Sequence, residues 1–502
     1  MTAEETRLRV VVVLSGAVLM SLEILGSRVL APTFGSSVYV WASLITIFLA
    51  ALAAGYALGG RLADRSPRAG TLSLILSIAA VLILPSVRFA PAMLDALGRS
   101  GWDIRWAALL ASSLLFLPPS IALGMVSPFA VRLAVRHLER VGAVAGFYSA
   151  LSTAGSIAGT LLTAFVLIPI VPVQTLLLIL SLTLAGCALL MARGRTPAVI
   201  ALLAAFTCGL ALFVHAAPGQ ADTARTLLSR DTAYHHITVS ELEGVRSLRF
   251  DNLVQGGVFV DTPNRPYTAY EQGLFMAWGV RPGIRSVCQI GLGTGSFPRT
   301  VARIVPEASV TTVEIDPVVR EVARDFFQYR ESPRTRTVIA DGRLFLARGG
   351  EPYDLIVLDA FNATGTPFHL TTREFFQTVR SRLTGDGVFV ANFIGGLMGR
   401  DARLFWAAYR TIRQQFGQVY LMSKEISRGD FGFQGNLILL ATVSADPISE
   451  EDFARRGLEL GERWDLPLLP HYADAVNHSP EPMPGIPELT DAYAPVEALQ
   501  NF

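Results

Sequence analysis

The chain has 502 residues, of which 51% are hydrophobic and 17% are charged, and its mean hydropathy is +0.43. Soluble proteins carry about 25% charged residues, which excludes a wholly soluble chain. Its length exceeds the ~250–300 residues at which a single core stops growing. The formal net charge of +1 excludes the basic field of a nucleic-acid-binding protein, so we expect no nucleic-acid partner. The three cysteines have no metal-ligand spacing, and we expect no metal.

Apolar residues are concentrated before residue 216, where long runs follow one another. A helix needs ~20 apolar residues to cross the hydrocarbon layer of a bilayer. The runs of suitable length are 9–30, 40–60, 71–87, 107–131, 143–171, 174–192 and 197–215. Residues 1–216 are therefore predicted to form an α-helical polytopic membrane domain of about seven spans, with the lipid bilayer as partner.

Two features of these runs predict how the helices pack. Gly155 and Gly159 lie four residues apart among serines and threonines, a spacing that lets helix backbones approach closely. Pro118 and Pro119 should kink the fourth run, because each removes a backbone hydrogen bond, and neighbouring helices must then satisfy the freed carbonyl groups.

The first run contains two charged residues, Glu23 and Arg28. Charges inside spans cost a few kcal/mol and are usually functional. One interpretation makes Glu23 part of a polar pocket for a cationic ligand. The other, which we favour, is an ion pair of Glu23 with Arg28 or with a basic residue of a neighbouring span.

Arginines near the ends of the runs are distributed unevenly. Ten lie on the side of the N-terminus and four on the opposite side. Positive residues accumulate in cytoplasmic loops, which predicts a cytoplasmic N-terminus in a bacterial cytoplasmic membrane. Seven spans would then place the second half outside, which conflicts with the function predicted for it below.

The second half has the charge density of a soluble protein. Short alternating strands at 234–242, 245–250 and 257–260 predict a small antiparallel β module over 222–280. From 281 to 502, strands alternate with helices, which predicts a Rossmann-like domain with a parallel sheet and helices on both faces. The predicted strands of this domain are 286–290, 309–314, 335–340, 355–358 and 388–393.

The first of these strands leads into a glycine-rich turn, with Gly291, Gly293 and Gly295 followed by a predicted helix. Glycines let the backbone turn sharply there and approach a ligand at the helix N-terminus. Glu314 ends the next strand 23 positions after Gly291, where a carboxylate characteristically accepts both ribose hydroxyls. The G-x-G-x-G spacing is closer to an S-adenosylmethionine fingerprint than to a dinucleotide one.

Two further acids follow strands of the same sheet. Asp341-Gly342 ends the third strand, where a side chain reaches an adenine amino group, and Asp359 ends the fourth. Open α/β sheets bind ligands at these carboxyl ends. Unrelated turn glycines and helix-capping acids explain any one of these features, but they explain the whole set poorly.

Nearly the whole chain resembles the membrane-fused bacterial branch of the spermidine synthase family. The resemblance rests on the motifs 234–239, 248–255, Tyr270-Glu271, the glycine turn, 314–316, 341–342 and 354–359. It also includes 23–32, 55–65 and the tail at 489–497. The family transfers an aminopropyl group from decarboxylated S-adenosylmethionine to an amine. Its soluble members commonly form dimers, so a homodimer is possible.

The resemblance assigns roles to several residues. It implies that Glu314 holds the ribose, that Asp341 holds the adenine, and that Gln255 lies close to the cofactor. It implies that Tyr270 lines the amine pocket and that Asp359 is the first acid of the family's D-x-x-D motif.

This sequence departs from the family at four positions, one of which is His235, where the family commonly has another polar residue. The second acid of the motif is Asn362, and an amide does not accept a proton at neutral pH. Thr294 replaces an aspartate that receives the ammonium of the cofactor, which removes one argument for the decarboxylated form and makes intact S-adenosylmethionine plausible. Position 271 is glutamate, where the family commonly has other polar residues.

The candidate bases are therefore Asp359, His369 and Glu271. His369 suits general base chemistry near neutral pH. Its alternative role is that of a surface or helix-capping residue before Thr371-Thr372.

Three functions remain open. The first is a membrane-anchored transferase that aminopropylates a small-molecule amine. The second is a methyltransferase acting on an amphipathic substrate. The third is a transporter or sensor that binds a nucleoside or polyamine without turnover. We favour a cytoplasmic catalytic half, because the set of cofactor-site residues is more specific than the number of spans.

Overall fold

The computed structural model divides the chain into two compact units, Met1–Asp222 with Arg230–His236, and Thr223–Ser229 with Ile237–Phe502. It describes residues 3–34, 38–98, 100, 102–135, 141–168, 170–192, 224–251, 253–263, 266–361, 366–399, 402–423, 435–444, 446–474, 476–477, 485–493 and 499.

The described part of the first unit is helical. Its helices are α1 (Ala3–Phe34), α2 (Val38–Arg65), α3 (Ala69–Arg88), α4 (Ala90–Gly98), α5 (Ile104–Gly124), α6 (Val126–Ala134), α7 (Val141–Leu162) and α8 (Val173–Met191). A π-helical turn, Thr163–Leu167, continues α7. Within the described residues, six helical stretches are long and apolar enough to cross a membrane, with α5 and α6 forming one of them. They match the first six predicted runs, and the seventh run, 197–215, lies outside the described residues.

Helices α1 and α7 pack closely through the small residues noted in the sequence. A Cβ atom on Gly155 would overlap the carbonyl oxygen of Val13. Ser156 Oγ donates to the carbonyl of Gly16 at 3.2 Å, and Thr163 Oγ1 donates to Ser21 Oγ at 2.8 Å. Small residues thus bring the two backbones together, and short polar side chains bond across the contact.

Pro118 and Pro119 lie inside α5, as predicted. Pro119 has no N–H to donate to the carbonyl of Leu115, four residues earlier. Ser86 Oγ from α3 donates to that carbonyl at 3.4 Å. A neighbouring helix therefore satisfies the freed acceptor, as a membrane-spanning helix would require.

The second unit begins with a four-stranded sheet in the order β1-β2-β3-β4. Its strands are β1 (Arg225–Asp231), β2 (His236–Leu242), β3 (Val245–Phe250) and β4 (Leu253–Phe259), so β1 is a strand that the alternation did not predict. Side chains of β2 to β4 share one core with helix Pro317–Phe326 and Leu292 of the glycine turn. This packing holds β4 beside the turn.

The larger sheet has eight strands in the order β12-β10-β11-β9-β8-β5-β6-β7. They are β5 (Ser286–Ile290), β6 (Ser309–Glu314), β7 (Thr335–Ile339), β8 (Tyr353–Leu358), β9 (Leu383–Gly395), β10 (Gln418–Met422), β11 (Gly435–Thr442) and β12 (Val476–Asn477). Strands β5 to β9 pair with one another in parallel. The remaining pairs, β9 with β11, β11 with β10 and β10 with β12, are antiparallel. The predicted parallel Rossmann-like sheet is present, with an antiparallel extension that the sequence did not reveal.

Helices connect and cover these strands. They are Ala269–Leu274, Met276–Val280, Ser296–Ile304, Pro317–Phe326, Gly342–Ala347, Arg373–Ser381, Arg403–Arg413, Glu450–Trp464 and Leu469–Asp474. Asp316 and Thr372 cap two of them, each accepting a hydrogen bond from the first turn. Side chains of these helices and of the eight-stranded sheet form two apolar cores.

Candidate active site

The candidate site lies where the strand order reverses. From β5 the chain passes to β6 and β7 on one side of the sheet and then crosses to β8 on the other. Such a switch point opens a crevice at the carboxyl ends of the strands. The amide of Asp359 donates to the carbonyl of Ile290 at 2.9 Å, so the loops after β5 and β8 are adjacent.

The glycine turn fits this crevice only because it has no side chain at its first position. Gly291 has φ +94°, and a Cβ atom there would overlap the carbonyl oxygen of Asp359. Gly295, with φ +70°, precedes helix Ser296–Ile304 and directs its N-terminus towards the turn. The backbone is thus shaped to bring N–H groups close to a ligand.

Glu314 is fixed under this turn. Its Oε2 accepts from the amide of Leu292 at 2.9 Å, and its Oε1 accepts from the amide of Asp316 at 3.0 Å. The side chain is 7% exposed. A carboxylate has about four acceptor positions, and these two backbone amides use one on each oxygen of Glu314.

Asp341 follows β7 and caps helix Gly342–Ala347, with Oδ1 accepting from the amide of Leu344 at 2.9 Å. Its Oδ2 lies 3.0 Å from Nε2 of His369. Gly342 is buried against Ile290 at the end of β5, which places Asp341 at the same edge of the sheet.

Asp359 is the centre of a half-buried polar group. Oδ2 accepts from the hydroxyl of Tyr270 at 3.2 Å, and Oδ1 accepts from Nδ2 of Asn392 at 3.0 Å. Asn436 donates in turn to Asn392 Oδ1 at 3.1 Å. Burial raises the pKa of Asp359, while the bonds from Asn392 and Tyr270 lower it. Burial, followed by the charges of Asp359 and Glu271, raises the pKa of Tyr270 well above its usual range.

Glu271 lies beside this group and is 5% exposed. Its Oε2 accepts from Thr268 Oγ1 at 3.3 Å. Burial is the main cause that raises the pKa of Glu271 to about 7, and the charge of Asp359 raises this pKa further. The hydrogen bond from the Ser296 hydroxyl and the charge of Arg299 act in the opposite direction. A carboxyl with such a pKa exchanges a proton near neutral pH.

Gln255 and Thr294 lie on the β-module side of the glycine turn. A Cβ atom on Gly256 would be 3.3 Å from Cγ2 of Thr294, so β4 contacts the turn directly. Nε2 of Gln255 is buried without a hydrogen-bond partner in the part of the chain that the structure describes. A buried amide donor without a partner costs free energy, and a polar ligand in the crevice would satisfy it. The residues present therefore fit a nucleoside cofactor.

The comparisons with known proteins agree with this geometry. The model of the spermine/spermidine synthase domain matches residues 275–420. A polyamine aminopropyltransferase of Vibrio vulnificus is 32% identical over 227 residues, which cover 44% of this chain and 70% of that protein.

The chain belongs to the spermidine synthase family. The identification made from sequence motifs is confirmed. The prediction of a transferase is confirmed as well. The prediction of an S-adenosylmethionine-type cofactor is confirmed at the level of the family.

Two other proteins are similar to parts of this spermidine synthase family member. A human eEF1A lysine and N-terminal methyltransferase is 38% identical over 117 residues, covering 21% of this chain and 17% of that protein. The crystal structure of a probable spermidine synthase from Corynebacterium glutamicum has a TM-score of 0.42 and 18% identity, covering 53% of this chain and 99% of that one.

The structure brings most of the predicted site residues of this family member to one edge of the sheet. Asn362, which stands in place of the second acid of the D-x-x-D motif and which we expect to contact the substrate, lies outside the described residues. In the first unit, Arg28 donates through Nη2 to the carbonyl of Ala233 at 2.5 Å. Both interpretations of Glu23, the polar pocket and the ion pair, stay predictions.

Sequence reasoning missed Asn392, Asn436 and Thr268. Asn392 is 1% exposed and interrupts a run of apolar residues in strand β9. A buried amide needs a hydrogen-bond partner, so its place in an apolar run was a usable signal. Thr268 and Asn436 carried no comparable signal, because each lies beside ordinary polar or turn residues.

Proposed function

We propose that this protein is a membrane-anchored aminopropyltransferase that uses decarboxylated S-adenosylmethionine to alkylate an amine. The observation that carries the proposal is the half-buried polar group of Asp359 and Tyr270, with the buried Glu271 beside it, next to the glycine turn. Two acids with raised pKa values at the switch point provide negative charge and a proton acceptor for an amine.

Binding residues come from both sides of the crevice. Glu314 would hold the ribose hydroxyls and Asp341, steadied by His369, the adenine. Gly291, Gly293 and Gly295 give the backbone its close approach, and Gln255 supplies its free amide donor. These contacts orient the cofactor tail towards Asp359, and orientation alone contributes several kcal/mol to a transfer reaction.

When bound, the cofactor supplies an electrophilic methylene carbon beside a sulfonium. An amine must lose a proton before it attacks this carbon, since an ammonium has no free electron pair. Asp359 and Glu271 are the acids placed to accept that proton, and Tyr270 and Asn392 hold Asp359 in position. The new C–N bond forms as the C–S bond breaks, and the electron pair of that bond stays on sulfur.

His369 has a second possible role besides that of a base. Its Nε2 faces Asp341, so the contact that the structure shows supports positioning of the adenine-binding acid. A base role would use its Nδ1. We therefore propose Glu271 and Asp359 ahead of His369 for proton transfer.

One specific observation favours a methyltransferase as the second candidate. Thr294 carries no charge where the family usually has an aspartate for the ammonium of the cofactor, so the turn does not by itself reject the carboxylate of intact S-adenosylmethionine. The partial similarity to a methyltransferase agrees with this alternative.

For the location, we propose a cytoplasmic catalytic half. Six helices of the described part are long enough to span, and an even number of spans returns the chain to the side of its N-terminus. The proposal requires that the run 197–215 does not cross. An even number of spans would place the catalytic half on the same side as the N-terminus, which the arginine distribution puts in the cytoplasm, where the cofactor is supplied.

The function is tested with the full-length protein in detergent micelles, given decarboxylated S-adenosylmethionine and a panel of linear amines. Mass spectrometry should detect methylthioadenosine and an amine that has gained one aminopropyl group, in equal molar amounts. The matched variant Asp359→Asn should lose both products. Absence of methylthioadenosine with every amine would reject the proposal.

A further inference from the structure

The segment 485–493, which we call the tail strap, is fixed on the helices that cover the large sheet. The amide of Leu489 donates to Thr411 Oγ1 at 3.0 Å, and the carbonyl of Leu489 accepts from the amide of Arg373 at 2.7 Å. Leu489 and Ile486 are 0% and 3% exposed and belong to one of the two apolar cores. The tail strap therefore has a defined place beside the sheet.

Asp491 lies at the tip of a tight turn in the tail strap. The amide of Thr490 donates to the carbonyl of Tyr493, and the amide of Tyr493 donates to the carbonyl of Thr490, each at 3.0 Å. The amide of Asp491 itself donates to Glu374 Oε2 at 2.9 Å. These bonds hold the backbone of Asp491, so its carboxylate is presented from a fixed point.

The carboxylate of Asp491 joins two loops at the edge of the sheet. Oδ1 accepts from Nη1 of Arg343 at 2.7 Å and Oδ2 accepts from Nη2 at 2.5 Å, the bidentate geometry of a strong arginine–carboxylate pair. Oδ1 also accepts from Thr372 Oγ1 at 2.7 Å. The hydrogen bond from Arg343 is the main cause that lowers the pKa of Asp491. Because Arg343 follows β7 and Thr372 follows β8, one charged carboxylate holds both loops.

These two loops carry the residues that we place at the adenine. Asp341 stands two residues before Arg343, and His369 stands three residues before Thr372. Oδ2 of Asp341 lies 3.0 Å from Nε2 of His369. Nη1 of Arg343 also donates to the carbonyl of His369 at 3.1 Å. The contact between Asp341 and His369 therefore depends on the same meeting of loops that Asp491 holds together.

Stability does not explain this arrangement. The side chains of Arg343 and Asp491 are 23% and 43% exposed, and ion pairs at such positions contribute little to the free energy of folding, because water and salt screen them. The tail strap is already anchored through Leu489. The pair does fix the distance between two loops, and a binding site needs its groups held in one geometry.

We propose that Asp491 is a positioning residue for recognition of the nucleoside base. By holding Arg343 and Thr372, it keeps Asp341 directed at the exocyclic amino group of an adenine. The proposal rests on the proposed function, in that Asp341 must face this amino group. It assigns part of the recognition to a residue that acts through others.

The test compares two nucleosides by isothermal titration of the full-length protein in micelles. Methylthioadenosine has the exocyclic amino group, and in its analogue a hydrogen atom replaces that group. Wild type should bind methylthioadenosine about 10-fold more tightly than the analogue, because only methylthioadenosine donates to the Asp341 carboxylate. Asp491→Asn keeps the size of the side chain and should bind methylthioadenosine about 5- to 10-fold more weakly. Its affinity for the analogue should not change.

Kinetics supply a second readout. In Asp491→Asn, KM for decarboxylated S-adenosylmethionine should rise about 5- to 10-fold, while kcat stays within about 2-fold of wild type. The acids placed to accept the proton lie outside the part of the loops that the tail strap holds, Asp359 at the end of β8 and Glu271 in helix Ala269–Leu274. A fall in kcat with unchanged KM would overturn the proposal.

Two further variants sharpen the result. Glu488→Gln alters another acid of the tail strap, which pairs with Arg373 at 3.4 Å, and should leave both affinities unchanged. Arg343→Gln should give a loss similar to that of Asp491→Asn, and the double variant should lose no more than either single variant. Losses that add in the double variant would mean that the two side chains act independently, against the proposal.

The outcomes separate the two proposals. If wild type binds neither nucleoside, or binds methylthioadenosine no better than the analogue, the nucleoside site of the proposed function is wrong. If wild type discriminates between them and Asp491→Asn discriminates equally well, only the role of Asp491 is overturned. An equal loss of affinity for both nucleosides in Asp491→Asn would show a purely structural role and overturns it as well.

Discussion

The hydroxyl of Tyr270 donates to Oδ2 of Asp359 at 3.2 Å, across 89 positions of sequence. The bond joins the helix that precedes the Rossmann-like sheet to the end of β8 at the switch point. Both side chains belong to the half-buried polar group, so the bond fixes the orientation of the acid that we place nearest to the attacking amine. The following predictions test this arrangement.

Tyr270→Phe removes this donor and leaves the ring in place. We expect the transfer rate to fall about 10- to 100-fold, because a hydrogen bond to a charged group contributes about 1.5–3 kcal/mol. Affinity for methylthioadenosine should stay the same. Tyr353→Phe is the matched control, since Tyr353 begins the same strand β8 at its opposite end. Equal rates for wild type and Tyr270→Phe would remove Tyr270 from the site.

Asn392→Ala tests a positioning residue. The amide of Asn392 donates to Asp359 and lowers its pKa, so its removal should raise that pKa further. The acid limb of the pH profile of kcat/KM should therefore move to higher pH, and kcat should fall about 10-fold. A change in kcat with no displacement of the acid limb would mean that Asn392 has only a packing role.

Glu314→Gln tests the nucleoside site. The carboxylate accepts from two backbone amides, and a glutamine would point an NH₂ group at one of them. An unsatisfied buried donor costs about 1–3 kcal/mol, so we expect methylthioadenosine to bind about 10- to 100-fold more weakly by titration calorimetry. Glu331→Gln, which alters an acid paired with Arg320, provides the control. Unchanged binding would contradict the assignment of Glu314.

Glu271→Gln should change how stability depends on pH. The pKa of Glu271 is raised from 4.5 to about 7 by burial, so its contribution to stability is complete below pH 4.5 and is lost as the pH rises through 7. The loss amounts to at most ~3.5 kcal/mol, taking about 1.4 kcal/mol per pH unit. A glutamine at position 271 does not titrate, so the stability of the variant does not fall over this pH range for this reason.

The ligand-free variant should therefore gain Tm relative to wild type between pH 5 and pH 8. Differential scanning fluorimetry in micelles measures the two curves. A Tm difference that is constant over this range would show that Glu271 titrates normally.

The side of the membrane on which the catalytic half lies is tested by reporter fusions after Phe502. A fluorescent protein at this position should fluoresce, and alkaline phosphatase at the same position should be inactive, because we place this end in the cytoplasm. The fluorescent protein folds only inside the cell, so the two reporters control each other. Active phosphatase would mean that the number of spans is odd.

Local patterns predicted the elements that shape the site. Strands β5 and β6 begin and end at the residues expected from their apolar runs. Gly291 was predicted as a sharp turn, and its positive φ confirms it. These features depend on neighbours in sequence, which is why a single chain reveals them.

Contacts between distant parts of the chain were beyond the sequence. The bond of His369 to Asp341 and the pairing of Arg343 Nη1 with Asp491 Oδ1 at 2.7 Å depend on how loops meet at the sheet edge. The tail thus bonds to the helix that Asp341 caps, which the sequence left undetermined. Strands β10 to β12 were missed because they pair antiparallel after the parallel pattern ends.

The central claim is aminopropyl transfer, and one competition measures it directly. The full-length protein in micelles receives equal concentrations of decarboxylated and intact S-adenosylmethionine together with the amine panel, and the nucleoside products are quantified by mass spectrometry. We predict methylthioadenosine in large excess, matched by aminopropylated amine. S-adenosylhomocysteine with methylated amine as the main products would contradict the account.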